Sequence, residues 1–304
     1  MELIRFEFNK KYALPPLAVA LGHFDGLHLA HRELIGRAVA AAKETGAKSA
    51  VITFDPHPDY VLKKRPPAGY LTPLPLKREL LASWGIDYLI VAPFSKELAE
   101  LEPEEFENAV LASFDIKQIV VGFDYRYGRG GQGDGDRLKN KYPVIVVPAV
   151  TYQGEKIGSA FIRRMLTTGD MTAVRAMFGR YYEIRGKVAF GRGRGRLYGV
   201  PTANVVVSED YHAVKKGVYA VFVTARGARR FGVADYGVMP TFALDEKPRL
   251  EVHIVGFSES LYGEEITVEF ARYLREEKRF SDEKDLIKQI RRDIEAAQKI
   301  REEL

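Results

Sequence analysis

Short apolar runs alternate with stretches of helical periodicity through the first half of the chain. Residues 17–21 form an apolar run that stops at Gly22. Residues 30–45 then place Leu34, Ile35, Ala38, Val39 and Ala42 at helical spacing, with a stop at Gly46. Residues 49–54 predict a buried strand closed by the turn chemistry of Asp55-Pro56-His57-Pro58. Further strands are expected at 88–92, 116–121 and 144–147, with a helix at 76–83 and another after Pro103, a favourable first-turn residue. Short apolar strands separated by amphipathic helices predict a parallel α/β sheet covered on both faces, with ligand sites in the loops at the carboxyl ends of its strands.

After two short helices (159–167 and 170–178) the period changes to two. Residues 182–189, 217–224, 250–255 and 266–273 alternate apolar and polar positions between glycine-rich turns, which predicts an antiparallel barrel. A last helix after Ser281 carries Asp282 and Glu283 in its first turn and an apolar stripe of Leu286, Ile287, Ile290, Ile294 and Ala297 expected to pack on the barrel. The domain boundary is expected near residues 179–182, giving domains 1–180 and 181–304.

Composition narrows the function classes. The 304 residues are 46% hydrophobic and 29% charged, a balance that excludes a disordered tail, a collagen or a coiled-coil rod. No apolar run approaches the ~18 residues of a membrane span. The charged first residues lack the apolar core of a secretory signal. With no cysteine, thiolate catalysis and cysteine-ligated zinc are excluded, and a cytoplasmic enzyme is the expectation. A net charge of +5 suits anionic small molecules without implying a nucleic-acid partner.

Two clusters carry chemistry. In the first, His28 and His31 stand three residues apart where a strand gives way to a helix, an arrangement suited to phosphate, and His57 follows the next strand at the same sheet edge. Local capping by the histidines is the alternative, and the phosphate role requires both rings to face solvent. In the second, a glycine-arginine run at 191–196 precedes Pro201-Thr202-Ala203-Asn204. Thr202 and Asn204 share one side of an extended chain, and their oxygens suit Mg²⁺; turn capping is again the alternative.

These motifs resemble those of the bacterial bifunctional riboflavin kinase/FMN adenylyltransferase (FAD synthetase) family. Residues 22–31 resemble its G-x-F-D-G-x-H-x-G-H, residues 53–58 its T-F-D-P-H-P, residues 122–128 with Gly133-Asp134 its G-x-D-F-R-F-G…G-D, and residues 157–163 its I-S-S-T-x-I-R. In the second half, residues 191–204 resemble G-x-G-R-G-x-x-x-G-[FV]-P-T-A-N, followed by Lys216-Gly217-Val218-Tyr219, a G-x-x-P-T-F at 237–242 and Leu250-Glu251-Val252-His253. Ala30 departs from the pattern where it has glycine, and Gly158 and Ala160 depart where it has hydroxyl residues, leaving Ser159 and Arg163 as the only polar side chains of that signature.

The resemblance implies a Rossmann-like nucleotidyltransferase domain with a parallel sheet, then a mainly antiparallel six-stranded β-barrel riboflavin kinase domain with a C-terminal helix. It implies ATP-dependent phosphorylation of riboflavin to FMN and adenylylation of FMN to FAD, with Mg²⁺, small-molecule partners only, no membrane partner and no specified oligomeric state. Glu251 is then the general base, projecting into the barrel mouth, and His28 and His31 serve adenylyl transfer. ATP contacts fall to Gly22, Phe24, Ser159, Arg163, Gly191, Gly193, Arg194 and Gly195. Flavin contacts fall to His57, Asp124, Tyr125 and Arg275, with Phe123 and Tyr127 as further ring surfaces, and the metal to Thr202 and Asn204. The alternatives are a kinase with a vestigial adenylyltransferase half, a metal-dependent hydrolase using the histidines and Asp25 and Asp55, an RNA-binding protein using the Gly-Arg run, and a class I aminoacyl-tRNA synthetase.

Overall fold

The computed structural model describes residues 1–62, 69–190, 200–239, 247–278, 280 and 282–303. It divides into two compact units, one of residues 1–68 and 72–158, the other of residues 69–71 and 159–304.

The first unit is built on a six-stranded, wholly parallel sheet. Its elements in chain order are β1 (Glu2–Arg5), β2 (Leu17–Leu21), α1 (Leu29–Thr45), β3 (Lys48–Asp55), α2 (Pro58–Leu62), α3 (Leu74–Ser83), β4 (Tyr88–Pro93), α4 (Lys96–Glu100), α5 (Pro103–Ala109) and β5 (Ile116–Gly122). Then come β6 (Arg126–Tyr127), β7 (Gly133–Asp134), α6 (Gly135–Leu138), β8 (Val144–Val147) and a hairpin of β9 (Thr151–Tyr152) and β10 (Glu155–Lys156). The sheet order is β1-β4-β3-β2-β5-β8. Every residue of β2 is buried, as a central strand covered on both faces requires. On one face Leu34, Ile35 and Ala38 of α1 join the core with Ala20, Val51 and Val120. On the other, Phe106, Val110 and Phe114 join it with Val19, Ile52 and Ile90. The strand order reverses at β2, because β3 and β4 extend to one side and β5 and β8 to the other. The crevice of such a sheet opens at the carboxyl end of the reversal point, and that is where the loop from Gly22 begins.

The second unit holds two helices, α7 (Ser159–Thr168) and α8 (Met171–Phe178), and a closed antiparallel barrel. Its strands are β11 (Tyr182–Ala189), β12 (Ala203–Val207), β13 (Gly217–Ala225), β14 (Ala228–Met239), β15 (Lys247–Ile254) and β16 (Glu265–Arg275), closing in the order β11-β12-β15-β14-β13-β16. The barrel interior is aromatic, with Tyr182 and Tyr219 both against Phe270. Outside it, Val218, Ala220, Phe231 and Val233 form a small core with Ile294 and Ala297 of the terminal helix α9 (Glu283–Glu303). The packing predicted for that stripe is observed at Ile294 and Ala297, whereas Leu286 at the start of the helix is exposed. The contact boundary falls after Gly158, so α7 and α8 belong with the barrel, whereas the expected boundary near residue 180 lies at the far end of the same two helices.

Candidate active sites

At the reversal point of the sheet, His28 caps α1. Its Nδ1 accepts the His31 backbone N–H at 3.3 Å, and the two imidazoles stack with centroids 3.6 Å apart. The three-residue spacing thus brings the rings together, but not in equal exposure. His28 is only 3% exposed, so the expectation that both rings face solvent holds for the partly exposed His31 alone. The local cap, read from sequence as the alternative, is what His28 makes here. Burial, reinforced by the neighbouring His28, pushes His31 well below the ordinary histidine range, so its ring is neutral at pH 7. Burial also brings His23 down to about 3, with help from His57 and Lys77.

Phe24 is core rather than an ATP contact. It is 1% exposed, packed within the core that α1 covers, and its ring lies edge-on to His31 at 5.2 Å. It fixes the histidine and covers Gly22, where a Cβ would come within 3.1 Å of its ring. His57 closes the cluster, 5.4 Å ring to ring from His23 and with its Nδ1 accepting the Asp59 N–H.

Around the loop after β5, the side chains separate into two roles. Phe123 is 51% exposed with the Lys156 ammonium 4.9 Å from its ring, and Lys156 also pairs with Asp124. A flat aromatic face beside a cation suits a ring-bearing anion. Tyr125 is partly buried and stacks on Tyr127. Tyr127 is 6% exposed and donates to buried Glu107 at 2.6 Å, so it is framework and not a ring surface for ligand.

Ser159 and Arg163, expected beside the histidines, open α7 of the second unit. Arg163 there donates to the Gly69 carbonyl at 2.9 Å and meets His212 Nδ1 at 3.2 Å.

In the barrel, Asn204 is directly opposite Glu251, and Glu251 directly opposite Asp235, across β12, β15 and β14. The inward neighbours Leu250 and Val252 are 1% exposed, so Glu251 stands on the outer wall instead of projecting into the mouth. Arg249 crosses this face. Its Nη2 donates to Asp235 at 2.9 Å and Glu277 at 2.6 Å, and its Nη1 lies 4.0 Å from Glu251. Burial, with Glu277 and Glu251 nearby, raises the Asp235 carboxyl to about 6 against the pull of Arg249. Thr202 lines a cleft together with Val252, Ile254, Phe257 and Tyr262.

Arg275 is not free for flavin. Nε and Nη2 grip Asp293 of α9 at 2.8 and 2.6 Å, and Nη1 donates to the Glu276 carbonyl. Only the tertiary fold could show this, since Asp293 is 18 residues away. Gly191, Gly193, Arg194 and Gly195 lie outside the described residues.

Sequence reasoning passed over Lys77 and gave Thr53 no role beyond its place in the motif at 53–58. Both donate to the His23 carbonyl at 2.8 Å. The available signal was a lysine at an apolar position of α3, one turn before buried Leu81 and next to buried Leu76.

An α/β sheet with paired imidazoles at its reversal point, joined to a barrel presenting an amide and a carboxylate side by side, defines a two-unit enzyme of phosphate transfer. Residues 10–161 match the family model described as FAD synthetase, and residues 178–301 the one described as riboflavin kinase. The chain belongs to the bifunctional riboflavin kinase/FMN adenylyltransferase family. Proteins of that name from Listeria monocytogenes and Bacillus subtilis are 38% and 37% identical, over 90% and 92% of this chain and 89% and 90% of theirs. The Escherichia coli protein of that name is 32% identical over 96% of both chains. A crystal structure described as a macrolide-efflux protein from Streptococcus pneumoniae superposes with a TM-score of 0.90 at 30% identity, covering 97% of this chain and 98% of that one. Among the described residues, no helix here is long and apolar enough to cross a membrane, and no group of three or more His, Asp or Glu is placed to hold a metal ion. Family membership favours the two-step flavin reading over the hydrolase, RNA-binding and synthetase alternatives.

Proposed function

We propose that the chain converts riboflavin to FMN in its second unit and FMN to FAD in its first, using ATP at both steps, in the cytoplasm. The observation that carries the reading is the face shared by Asn204 and Glu251. Glu251 accepts the proton of the terminal ribityl hydroxyl as that oxygen attacks the γ-phosphorus of ATP, and ADP leaves. Thr202 and Asn204 are hard oxygen donors that fit Mg²⁺, and Glu251 opposite Asn204 adds a carboxylate to the same face. A Mg²⁺ held there would neutralise phosphate charge and orient the triphosphate.

In the first unit the FMN phosphate is already anionic and needs no base. One of its oxygens attacks the α-phosphorus of ATP in line, and pyrophosphate departs. The protein's part is to position the partners and offset the charge on the phosphoryl oxygens. His31 serves as a neutral N–H donor, held by Phe24 and His28, while Phe123 and Lys156 offer a surface to the ring system of FMN or ATP.

Incubation with riboflavin, ATP and Mg²⁺, followed by chromatographic separation of the flavins, tests both steps. FMN then FAD is expected. FMN alone removes the activity of the first unit, and unchanged riboflavin removes both.

A further inference from the structure

With His23 and His31 both held neutral, the adenylyl-transfer site needs another source of positive charge. Lys77 is the candidate the fold supplies. It projects from α3 and is 4% exposed, yet its ammonium makes no ion pair among the described residues and has one hydrogen-bond acceptor, the His23 carbonyl. Burial pushes the Lys77 ammonium below the ordinary lysine range, and the charges of Asp25 and Asp55 pull against that shift without pairing with it directly; Asp25 accepts the Thr72 N–H, and Asp55 lies 3.7 Å from Arg5. Lys156, the other cation felt by His31, is paired with Asp124 near the surface. A buried ammonium with two unused donors is costly to keep unless an anion completes it. Its hydrogen bond to the His23 carbonyl seats it against the loop that carries the imidazoles, and its charge is among those that keep both rings neutral.

We propose that Lys77 is the fixed cation of the adenylyl-transfer site, offsetting the negative charge of the ATP phosphate chain and of the departing pyrophosphate. This rests on assigning FMN adenylylation to the first unit. Set in a low-dielectric surround, the ammonium acts through its field without leaving the His23 carbonyl. The imidazoles then provide directed hydrogen bonds and the lysine provides the charge.

The test separates charge from tethering. Lys77→Gln keeps a donor for the His23 carbonyl and loses the charge, whereas Lys77→Arg keeps both. Forward kinetics with ATP and FMN, and the reverse reaction of FAD with pyrophosphate, are measured for each, so that the ATP site of the kinase does not enter. Lys77→Gln is expected to raise KM for ATP and for pyrophosphate about 10- to 100-fold. KM for FMN and FAD should stay near the wild-type values, and Lys77→Arg should recover most of the loss. Thermal melts that keep the transition of the first unit at its wild-type temperature report that the unit holding Lys77 is folded in both variants, and FMN formation from riboflavin, unchanged, reports the same for the barrel unit. An equal rise in all four KM values, no rise, or an arginine variant no better than the glutamine one overturns the proposal and leaves the functional assignment standing. A wild-type protein that forms no FAD from FMN overturns both.

Discussion

Asn204 stands directly opposite Glu251 across the β12–β15 ladder, so the amide and the carboxylate occupy one patch of the barrel's outer wall. Opposed residues of an antiparallel pair have Cβ atoms about 5 Å apart, close enough to serve one phosphate and its metal. If Glu251 is the base, Glu251→Gln keeps the shape and the Asn204 neighbour while removing proton acceptance. FMN formation should fall by a factor of about 10² to 10⁴. FAD formation from supplied FMN should be unchanged. Parallel loss of both rates would contradict two separate sites.

His23 gives the first unit an acid sensitivity whose direction is fixed. Its ring, brought to about 3 by burial and its cationic neighbours, refuses a proton that the unfolded chain accepts near 6.5. Above 6.5 neither state binds that proton. Below it the unfolded state gains, so stability declines as pH falls, by about 1.4 kcal/mol per pH unit for one such histidine, down to about 3. Thermal melts between pH 6.5 and 5 should therefore drop less steeply in His23→Gln than in the wild type. Equal slopes would show that His23 is not buried neutral.

What the sequence disclosed follows from what local patterning can encode. The β2–α1–β3 unit was legible because an all-apolar strand and a helix ended by Gly46 are local signals, and Gly46 does take the left-handed conformation at φ 66°. β1 was hidden, since Glu2 and Arg5 flank only two apolar residues; as an edge strand, it pairs with β4 alone and tolerates those charges. In β14 glycine obscures the alternation. Gly232 is required there, because a Cβ would lie 2.4 Å from the His253 carbonyl oxygen. At the sites, spacing placed His28 beside His31. It did not encode that His28 turns inward, that Asp293 occupies Arg275, or that Lys77 lies beneath the histidine loop, since each depends on an element distant in the chain.

Glu107 organises the aromatic loop of the first unit. Burial opposes its charge, but Lys141 at 2.8 Å, Tyr127 at 2.6 Å and Arg137 at 2.9 Å outweigh that and hold its carboxyl below the usual range. Glu107→Gln removes the charge while leaving one oxygen acceptor. Arg137 and Lys141 are both about 40% exposed and can return to water, so the cost should be about 2 kcal/mol and not the full penalty of an orphaned buried cation. Denaturant unfolding of the full chain should show the first unit destabilised. Because Tyr125 stacks on Tyr127, KM for FMN in adenylylation should rise as well. Riboflavin phosphorylation should be unaffected, and a variant as stable as the wild type would remove Glu107 from this role.

Gly158 and Ala160 occupy positions where the family pattern has hydroxyl side chains, and the structure shows space at the first of them. A Cβ on Gly158 would meet only the Lys156 Cε, at 4.0 Å, and its φ lies outside the left-handed range. Ala160 is exposed at the start of α7. Crowding therefore does not account for the missing hydroxyl at residue 158. If these positions face the phosphates during adenylyl transfer, Gly158→Ser combined with Ala160→Thr should raise kcat/KM for FAD formation. One added hydrogen bond corresponds to about a 2- to 10-fold gain. The melting temperature should hold, and FMN formation from riboflavin should not change. An unaltered rate of FAD formation in a stable double variant would mean that this chain's adenylyl transfer relies on its histidine loop and Lys77, and that the hydroxyl signature has no part in it.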